Sequence, residues 1–204
     1  MGSTQGEPGG TGQDSGQEVG QTLRPVLHRT VVMVGMMGSG KTAVGRALGQ
    51  RLSVPFLDSD AEIETAAHAS IAEIFARDGE PFFRRRESEV IGRLLAGPPC
   101  ILSTGGGAYL AARNRDAIAA HGVAVWLNAP LDLLWERVRH KDSRPLLRTT
   151  DPRATLAQIH ADRTPVYAEA RLHLAVQSRA SIEETTDSVI ALLLTDPTVL
   201  EMLP

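Results

Sequence analysis

The residues with the clearest chemical signature lie at positions 31–42, in the stretch VVMVGMMGSGKT. The spacing from Gly35 through Gly40 to Lys41 and Thr42 is that of a phosphate-binding loop. Glycines allow successive backbone N–H groups to point inward, and the segment that follows has helical spacing, so its positive end faces the same point. Lys41 can reach the β- and γ-phosphates, and the Thr42 hydroxyl can bind Mg²⁺. The stretch therefore predicts a site for a nucleoside triphosphate.

Two carboxylates follow the next apolar run, VPFL. Asp58 and Asp60 are two residues apart, and residues two apart on an extended strand share one side. Beside a triphosphate, one carboxylate could orient hydrated Mg²⁺ while the other meets an acceptor hydroxyl. The alternative is that one of them is only the N-cap of the helix AEIETAA. The neighbouring phosphate loop favours the catalytic interpretation.

A third candidate group is the run of glycines after the strand-like CILST. These are Gly105, Gly106 and Gly107. Glycines at the end of a buried strand permit a ligand to approach the backbone more closely than any side chain would allow.

Arginines supply the remaining candidates. The segment FFRRRESE places residues 84–86 on a helix, where consecutive side chains point about 100° apart. One or two of them can face a common site, and the others are expected in solvent or paired with Glu87 and Glu89. Further along, Arg163 lies just before Pro165, near a helix end. Fixed arginines suit bidentate binding of a carboxylate or clamping of a phosphate.

Alternating strand-like and helix-like segments must position these residues. The strand candidates are TVVMVG, VPFLD, CILST, VAVWLN and LHLAV, all short and mostly apolar. The last helix, SIEETTDSVIALLLTD, begins with a capping box formed by Ser181 and Glu184. Its apolar positions predict one buried face, made of Ile182, Val189, Ile190, Leu193 and Leu194. The alternation predicts a three-layer α/β domain with a largely parallel sheet and ligands at the carboxyl ends of its strands.

The composition and charge of the chain argue against several classes of function. The chain has 204 residues, enough for one domain with a sizeable core, and 21 basic against 24 acidic residues give a net charge of −3. Neither nucleic acid nor an anionic membrane is an expected partner, and no apolar run is long enough to span a bilayer. The single cysteine, Cys100, fits a reducing compartment and a buried, inert thiol. The six histidines have no metal-ligand spacing.

Two segments stand apart from the predicted domain, which covers residues 23–204. Residues 1–22 hold 7 of the 19 glycines among Gln, Ser and acidic residues, which predicts a disordered tail. The polar and basic stretch at about 138–153, interrupted by Pro145 and Pro152, predicts a mobile lid between two helices.

Taken together, the motifs GMMGSGKT, FLDSD, SIAEIFARDGEPFFRRRE, ILSTGGGA, RPLL and DRTPVY resemble the shikimate kinase family in their order and spacing. The resemblance covers about residues 29–195 and implies a P-loop kinase fold with a five-stranded parallel sheet, flanking helices and a mobile lid. It implies ATP-dependent phosphorylation of shikimate to shikimate 3-phosphate, in the pathway to chorismate and the aromatic amino acids. It also implies a cytoplasmic monomer that uses Mg²⁺.

The resemblance also implies a role for individual residues. Asp60, Lys41 and Arg144, the last as the lid arginine, would be catalytic, with Asp60 as the base. ATP would be held by Gly38, Ser39, Gly40, Lys41, Thr42, Ala43, Arg137, Arg144 and Arg179. Shikimate would be held by Asp60, Arg84, Gly105, Gly106, Gly107 and Arg163. Thr42 would bind the metal directly, and Asp58 would do so through water.

Two positions depart from the family pattern. Tyr109 replaces an aliphatic residue or Phe after the glycines, which is a change of packing. The loop VQSRAS lacks the acidic residue and the threonine expected after the last strand, so the nucleobase contacts of Gln177, Ser178 and Arg179 stay open.

Two other functions fit parts of the sequence. A gluconate or nucleotide kinase would share the phosphate loop, but the triple glycine and the paired arginines argue for a carboxylate-bearing acceptor. A regulatory nucleotide-binding module would be expected to have lost Lys41, Asp60 or Arg144, and all three are present.

Overall fold

The computed structural model describes residues 23–140 and 145–204. The strands are β1 Arg24–Leu27, β2 Thr30–Val34, β3 Phe56–Asp58, β4 Ile101–Ser103, β5 Gly122–Asn128, β6 Leu172–Ala175 and β7 Leu200–Leu203. The helices are α1 Lys41–Leu52, α2 Ser59–Ala67, α3 Ile71–Leu95, α4 Ala112–His121, α5 Leu131–Val138, α6 Pro152–Tyr167 and α7 Ile182–Leu193. Short 3₁₀ turns lie at Ala108–Leu110 and Pro145–Leu147.

A five-stranded parallel sheet forms the centre of the fold, with strand order β3-β4-β2-β5-β6. β2 lies in the middle and is buried along its whole length, as expected for a strand that is covered on both faces. All five predicted strands are present, and the predicted P-loop kinase fold is confirmed. Because the strands are parallel, β2, β3 and β4 deliver their carboxyl ends, and the residues that follow, to one edge.

A second, two-stranded sheet was not predicted from the sequence. β1 pairs antiparallel with β7, in a register that sets Arg24 opposite Leu203 and Leu27 opposite Leu200. Each strand has only four residues, and neither alternates apolar and polar residues clearly enough to be recognised alone. The pairing connects two ends of the described chain, which a local pattern cannot reveal.

The prediction for the last helix, α7, is confirmed in part. Ser181 caps α7, and Glu184 completes the capping box. Val189 and Leu193 are fully buried, but Ile182 and Leu194 are 46% and 39% exposed, so the predicted five-residue face is too wide. Since α7 packs on α1, the residues at its ends extend beyond the core.

The helix that carries Arg84, α3, is broken. Gly79 has φ 80° and ψ 167°, which splits α3 into two helical segments, and Pro81 follows in the second. The left-handed φ requires glycine, and proline is tolerated because it lies near the start of a helical segment. The kink changes the direction of the helix just before Arg84.

The predicted tail, residues 1–22, and residues 141–144 of the predicted lid lie outside the described residues. On either side of that gap, α5 ends at Val138 and α6 begins at Pro152. The described residues between these two helices form no α-helix, only the 3₁₀ turn at Pro145–Leu147. In the described ranges, no helix combines the length and the apolar character needed to cross a membrane.

Candidate active site

The phosphate loop connects β2 to α1 and needs its glycines. Gly35, Gly38 and Gly40 all have positive φ, at 134°, 82° and 103°. A Cβ on Gly35 would lie 2.9 Å from the Leu127 carbonyl oxygen, which belongs to the backbone and cannot move aside. Gly40 is the N-cap of α1 and provides no side-chain cap. The first N–H groups of the helix are therefore available to an anion.

Two cationic side chains reach the loop from different directions. Lys41 is 9% exposed, and its ammonium donates to the carbonyl oxygens of Gly35 and Met36, both at 2.9 Å. Arg137, on α5, donates from Nη1 to the Gly38 carbonyl oxygen at 3.1 Å. Both side chains are thereby aligned beside the place where the phosphates are expected.

An oxygen-rich cluster lies beside the start of α1. The Thr42 hydroxyl donates to Asp58 Oδ2 at 3.3 Å and lies 3.3 Å from the Ser103 hydroxyl. Hydroxyl and carboxylate oxygens next to a phosphate site are the ligands that Mg²⁺ prefers, so the residues fit this metal. Ser103, at the end of β4, was not predicted as a site residue. Its position at a strand end was the available signal.

Asp58 and Asp60 were predicted to share one side of an extended strand. In the structure they do not, because α2 begins at Ser59. Asp58 ends β3 and is the N-cap of α2, where its Oδ1 accepts a hydrogen bond from the Asp60 N–H at 3.0 Å. Asp60 lies in the first turn of that helix. The capping interpretation is thus correct for Asp58, and the turn of the chain still leaves the two carboxylates close enough for Asp58 to affect the ionisation of Asp60.

Asp60 has the ionisation expected of a base near neutral pH. Burial and, after it, the Asp58 charge raise its pKa to about 6, although the Lys41 charge opposes the rise. Its Oδ1 is buried and has no hydrogen-bond partner among the described residues. A carboxylate with a raised pKa and an unpaired oxygen in a cavity is suited to accept a proton.

Arg84 is held by carboxylates on both sides. Its Nη1 donates to Glu87 Oε2 at 2.9 Å, while Nε and Nη2 donate to Glu80 Oε1 at 3.1 and 3.0 Å. Glu87 is 1% exposed, and burial raises its pKa although the Arg84 charge opposes this. The sequence pattern predicted Glu87 as a partner of a surface arginine, and its burial at the site was not predicted. Arg86 does pair with Glu89 at the surface, at 2.7 Å, as expected.

The three glycines after β4 lie between these charged groups. A Cβ on Gly105 would approach Asp60 Oδ1 to 2.8 Å, and one on Gly107 would approach the Arg84 guanidinium to 2.6–2.8 Å. Arg163, on α6, donates from Nη1 to the Gly106 carbonyl oxygen at 3.4 Å. The glycines therefore make room for side chains that other elements bring in.

Two cavities meet at this point. The larger, about 500 Å³, lies over the phosphate loop, and the smaller, about 170 Å³, is bordered by Arg84, Glu87 and Arg163. Both are lined by Met37, Asp60, Gly105 and Gly106. A molecule in each cavity would thus meet the other beside the Asp60 carboxylate.

Comparisons with known proteins agree with this geometry. A family model described as shikimate kinase matches residues 37–194. The chain belongs to the shikimate kinase family.

Individual relatives extend the comparison. A shikimate kinase of Ruegeria pomeroyi is 66% identical over 176 residues, which are 86% of this chain and 90% of the relative. One from Cereibacter sphaeroides is 59% identical over 186 residues, 91% of this chain and 92% of the relative. The solved shikimate kinase from Acinetobacter baumannii, in complex with shikimate, is 36% identical with a TM-score of 0.78, and the match covers 82% of this chain and 94% of that one.

The family assignment confirms the expected enzyme class, an ATP-dependent phosphotransferase. The function expected from the resemblance, ATP-dependent phosphorylation of shikimate in aromatic amino acid biosynthesis, is the function of this family.

Most, but not all, of the residues expected to bind ATP lie at the larger cavity. Gly38, Ser39, Gly40, Lys41, Thr42, Ala43 and Arg137 all line the larger cavity. Arg179 is not among the residues that line it, although its neighbours Ala180 and Ser181 are. Arg144 lies outside the described residues. Tyr109 is 5% exposed and part of the core, in keeping with a change of packing in this family member.

Proposed function

We propose that this site transfers the γ-phosphoryl group of MgATP in line to the 3-hydroxyl of shikimate. The observation that carries the proposal is the position of Asp60, which lines both the phosphate-side cavity and the cavity bordered by Arg84 and Arg163. Phosphoryl transfer depends on positioning and charge stabilisation rather than on covalent chemistry by the protein. Two cavities that share one partly buried carboxylate meet this requirement.

On the nucleotide side, the loop N–H groups and Lys41 bind the phosphates of ATP. Gly38, Ser39, Gly40, Thr42 and Ala43 belong to the same binding surface, and Arg137 and Arg179 are assigned to the nucleotide. Thr42 would hold Mg²⁺ directly and Asp58 through water, which is supported by their oxygen atoms lying 3.3 Å apart. When bound, Mg²⁺ neutralises charge that develops on the phosphate oxygens.

On the acceptor side, Arg84 and Arg163 bind the shikimate carboxylate. Both guanidinium groups border the smaller cavity, together with Gly105, Gly106 and Gly107, whose lack of side chains leaves space for the sugar-like ring. A carboxylate is the acceptor group that a pair of arginines recognises best, because each guanidinium can donate two parallel hydrogen bonds.

Asp60 accepts the proton of the attacking hydroxyl. Its pKa of about 6 leaves it ionised at neutral pH while keeping it a stronger base than an ordinary aspartate. Arg144 is assigned to the lid, from which it would reach the transferring group. Closure of the lid would exclude water and so prevent idle hydrolysis of ATP.

The test is release of ADP from MgATP by the purified protein with shikimate, with gluconate and with nucleoside monophosphates. We expect ADP release with shikimate alone, matched mole for mole by shikimate 3-phosphate. Turnover with a control acceptor and none with shikimate would overturn the acceptor assignment. Tight ATP binding without any turnover would instead support a regulatory module.

We further propose that the enzyme is a cytoplasmic monomer. Sedimentation of the purified protein and fractionation of cells would test the two statements separately.

A further inference from the structure

A buried tyrosine hydroxyl lies next to the acceptor cavity without lining it. Tyr167, the last residue of α6, is 1% exposed, and its ring stacks on Trp126 with centroids 6.2 Å apart. Its hydroxyl donates to the Gly106 carbonyl oxygen at 2.5 Å. Burial raises the pKa of Tyr167, although the nearby Arg163 guanidinium opposes this, so the phenol remains protonated and can donate at any working pH.

The carbonyl that Tyr167 holds belongs to a peptide with no side chains to anchor it. Gly106 and Gly107 flank this peptide, and glycines lose more conformational freedom on ordering than other residues. In a trans peptide the C=O and the following N–H point in opposite directions. A Gly106 carbonyl directed at α6 therefore turns the Gly107 N–H the other way.

The same carbonyl is also the contact of an acceptor-side arginine. Arg163 Nη1 donates to it at 3.4 Å, from one helical turn before Tyr167. On the other side of the peptide, Gly107 lies so close to Arg84 that a Cβ would come within 2.6 Å of Nη2. The peptide is thus the connection between the two arginines, and Tyr167 makes its shortest hydrogen bond.

We propose that the Tyr167 hydroxyl is a positioning group for the acceptor: it fixes the Gly106–Gly107 peptide and, through the shared carbonyl, the place of Arg163. Tyr167 touches neither substrate nor the reacting atoms. This inference rests on the proposed function for the identity of the acceptor, but not for the existence of an acceptor site.

The chain contains a matched control. Its only other tyrosine is Tyr109, which is also buried, at 5% exposure. The Tyr109 hydroxyl has no hydrogen-bond partner among the described residues, in contrast to that of Tyr167. Changing each tyrosine to phenylalanine removes one hydroxyl and keeps the ring, but only in Tyr167 does the change remove the hydrogen bond to the Gly106 carbonyl.

The experiment compares Tyr167→Phe with Tyr109→Phe in the full-length enzyme. For Tyr167→Phe we expect the KM for shikimate and its Kd by calorimetry to rise about three- to tenfold, as for loss of one hydrogen bond. The KM for ATP and kcat should stay within about twofold. For Tyr109→Phe all four values should stay within about twofold of the unchanged enzyme.

The split between the two substrates separates positioning from general destabilisation. An unchanged shikimate Kd in Tyr167→Phe would overturn the proposal. Equal losses for shikimate and ATP, together with a lowered Tm, would also overturn it, because a loosened fold would affect both cavities. If the unchanged enzyme phosphorylates another acceptor instead of shikimate, the proposed function fails, while Tyr167→Phe should still raise the KM for that acceptor.

Discussion

On the nucleotide side of the site Lys41 is held by two main-chain carbonyls, whereas on the acceptor side Arg84 is held by two carboxylates. The first arrangement follows from the path of the backbone through the phosphate loop. The second depends on a balance of charges brought in by side chains. Glu87 and Asp60 border the acceptor; Glu87 is buried and Asp60 is partly buried, and each has a buried oxygen without a partner among the described residues.

The two sides should therefore differ in their sensitivity to substitution. Buried charges are sensitive to the loss of one partner, because the remaining charge stays desolvated. A loop shaped by glycines and main-chain N–H groups is less sensitive to changes in the side chains around it. We therefore expect acceptor-side variants to lose more than variants of the side chains that support the nucleotide loop.

The largest effect is expected for Asp60→Asn. The amide cannot accept the proton of the acceptor hydroxyl, so kcat should fall about 10²- to 10⁴-fold. The Kd for MgATP, measured without acceptor, should change little because the phosphate loop is intact. Glu64→Gln is the control, compared on the pH plateau above the Asp60 pKa, since Glu64 lies one turn later on the same helix and is exposed. An Asp60→Asn enzyme with more than about a tenth of the original kcat would exclude Asp60 as the base.

Gly107→Ala should impair the acceptor side alone. The added Cβ would lie 2.6–2.8 Å from the Arg84 guanidinium, which is the mobile end of a side chain and would move. Displacement of about 1 Å can cost about 10²-fold, and we expect this in kcat/KM for shikimate, with little change in Tm or in ATP binding. Gly92→Ala, in the same helix as Arg84 and with no atom within 4 Å of its added Cβ, is the control. Equal losses for ATP and shikimate in Gly107→Ala would contradict a separate acceptor side.

The pH dependence of kcat/KM should report the ionisation of Asp60. Because Asp60 must be ionised to act as base and burial raises its pKa to about 6, kcat/KM should fall about tenfold per pH unit below that value. The effect on stability has the opposite sign. The folded state binds this proton more tightly than the unfolded chain, so the stabilisation is present at low pH and is lost as pH rises through about 6.

A variant of Glu64 tests whether the fall of kcat/KM at low pH comes from the ionisation of Asp60. The Glu64 charge contributes, after burial and Asp58, to the raised pKa of Asp60. In Glu64→Gln the acid limb of the kcat/KM profile should therefore move to lower pH, while the plateau stays the same. A profile that is flat down to pH 5 would show that the rate does not depend on Asp60 ionisation.

The sequence predicted the nucleotide side better than the acceptor side, for a physical reason. A phosphate loop is a local device, so residues 35–42 contain its glycines, its lysine and its threonine in order. The five central strands were equally accessible, because burial on both faces leaves continuous apolar runs. The antiparallel pair β1–β7 was missed, since its two four-residue strands lie far apart in the chain.

The acceptor side is assembled from α2, α3, α6 and the loop after β4. No local pattern relates Asp60 to Glu87, or Tyr167 to Gly106, because their proximity arises only in three dimensions. The prediction that Asp58 and Asp60 share one side of a strand was also wrong, because α2 begins between them. Family resemblance supplied Arg84 and Arg163, but it did not supply the contacts that hold them.

The smallest effect is expected for Arg137→Lys, on the nucleotide side. The lysine retains the charge but loses the planar group that donates to the Gly38 carbonyl at 3.1 Å. One such hydrogen bond contributes about 1 kcal/mol, so the KM for ATP should rise about fivefold. The KM for shikimate should not change, because Arg137 does not border the smaller cavity. An increase in the ATP KM as large as the loss in Gly107→Ala would mean that the nucleotide loop depends on its supporting side chains as strongly as the acceptor side does.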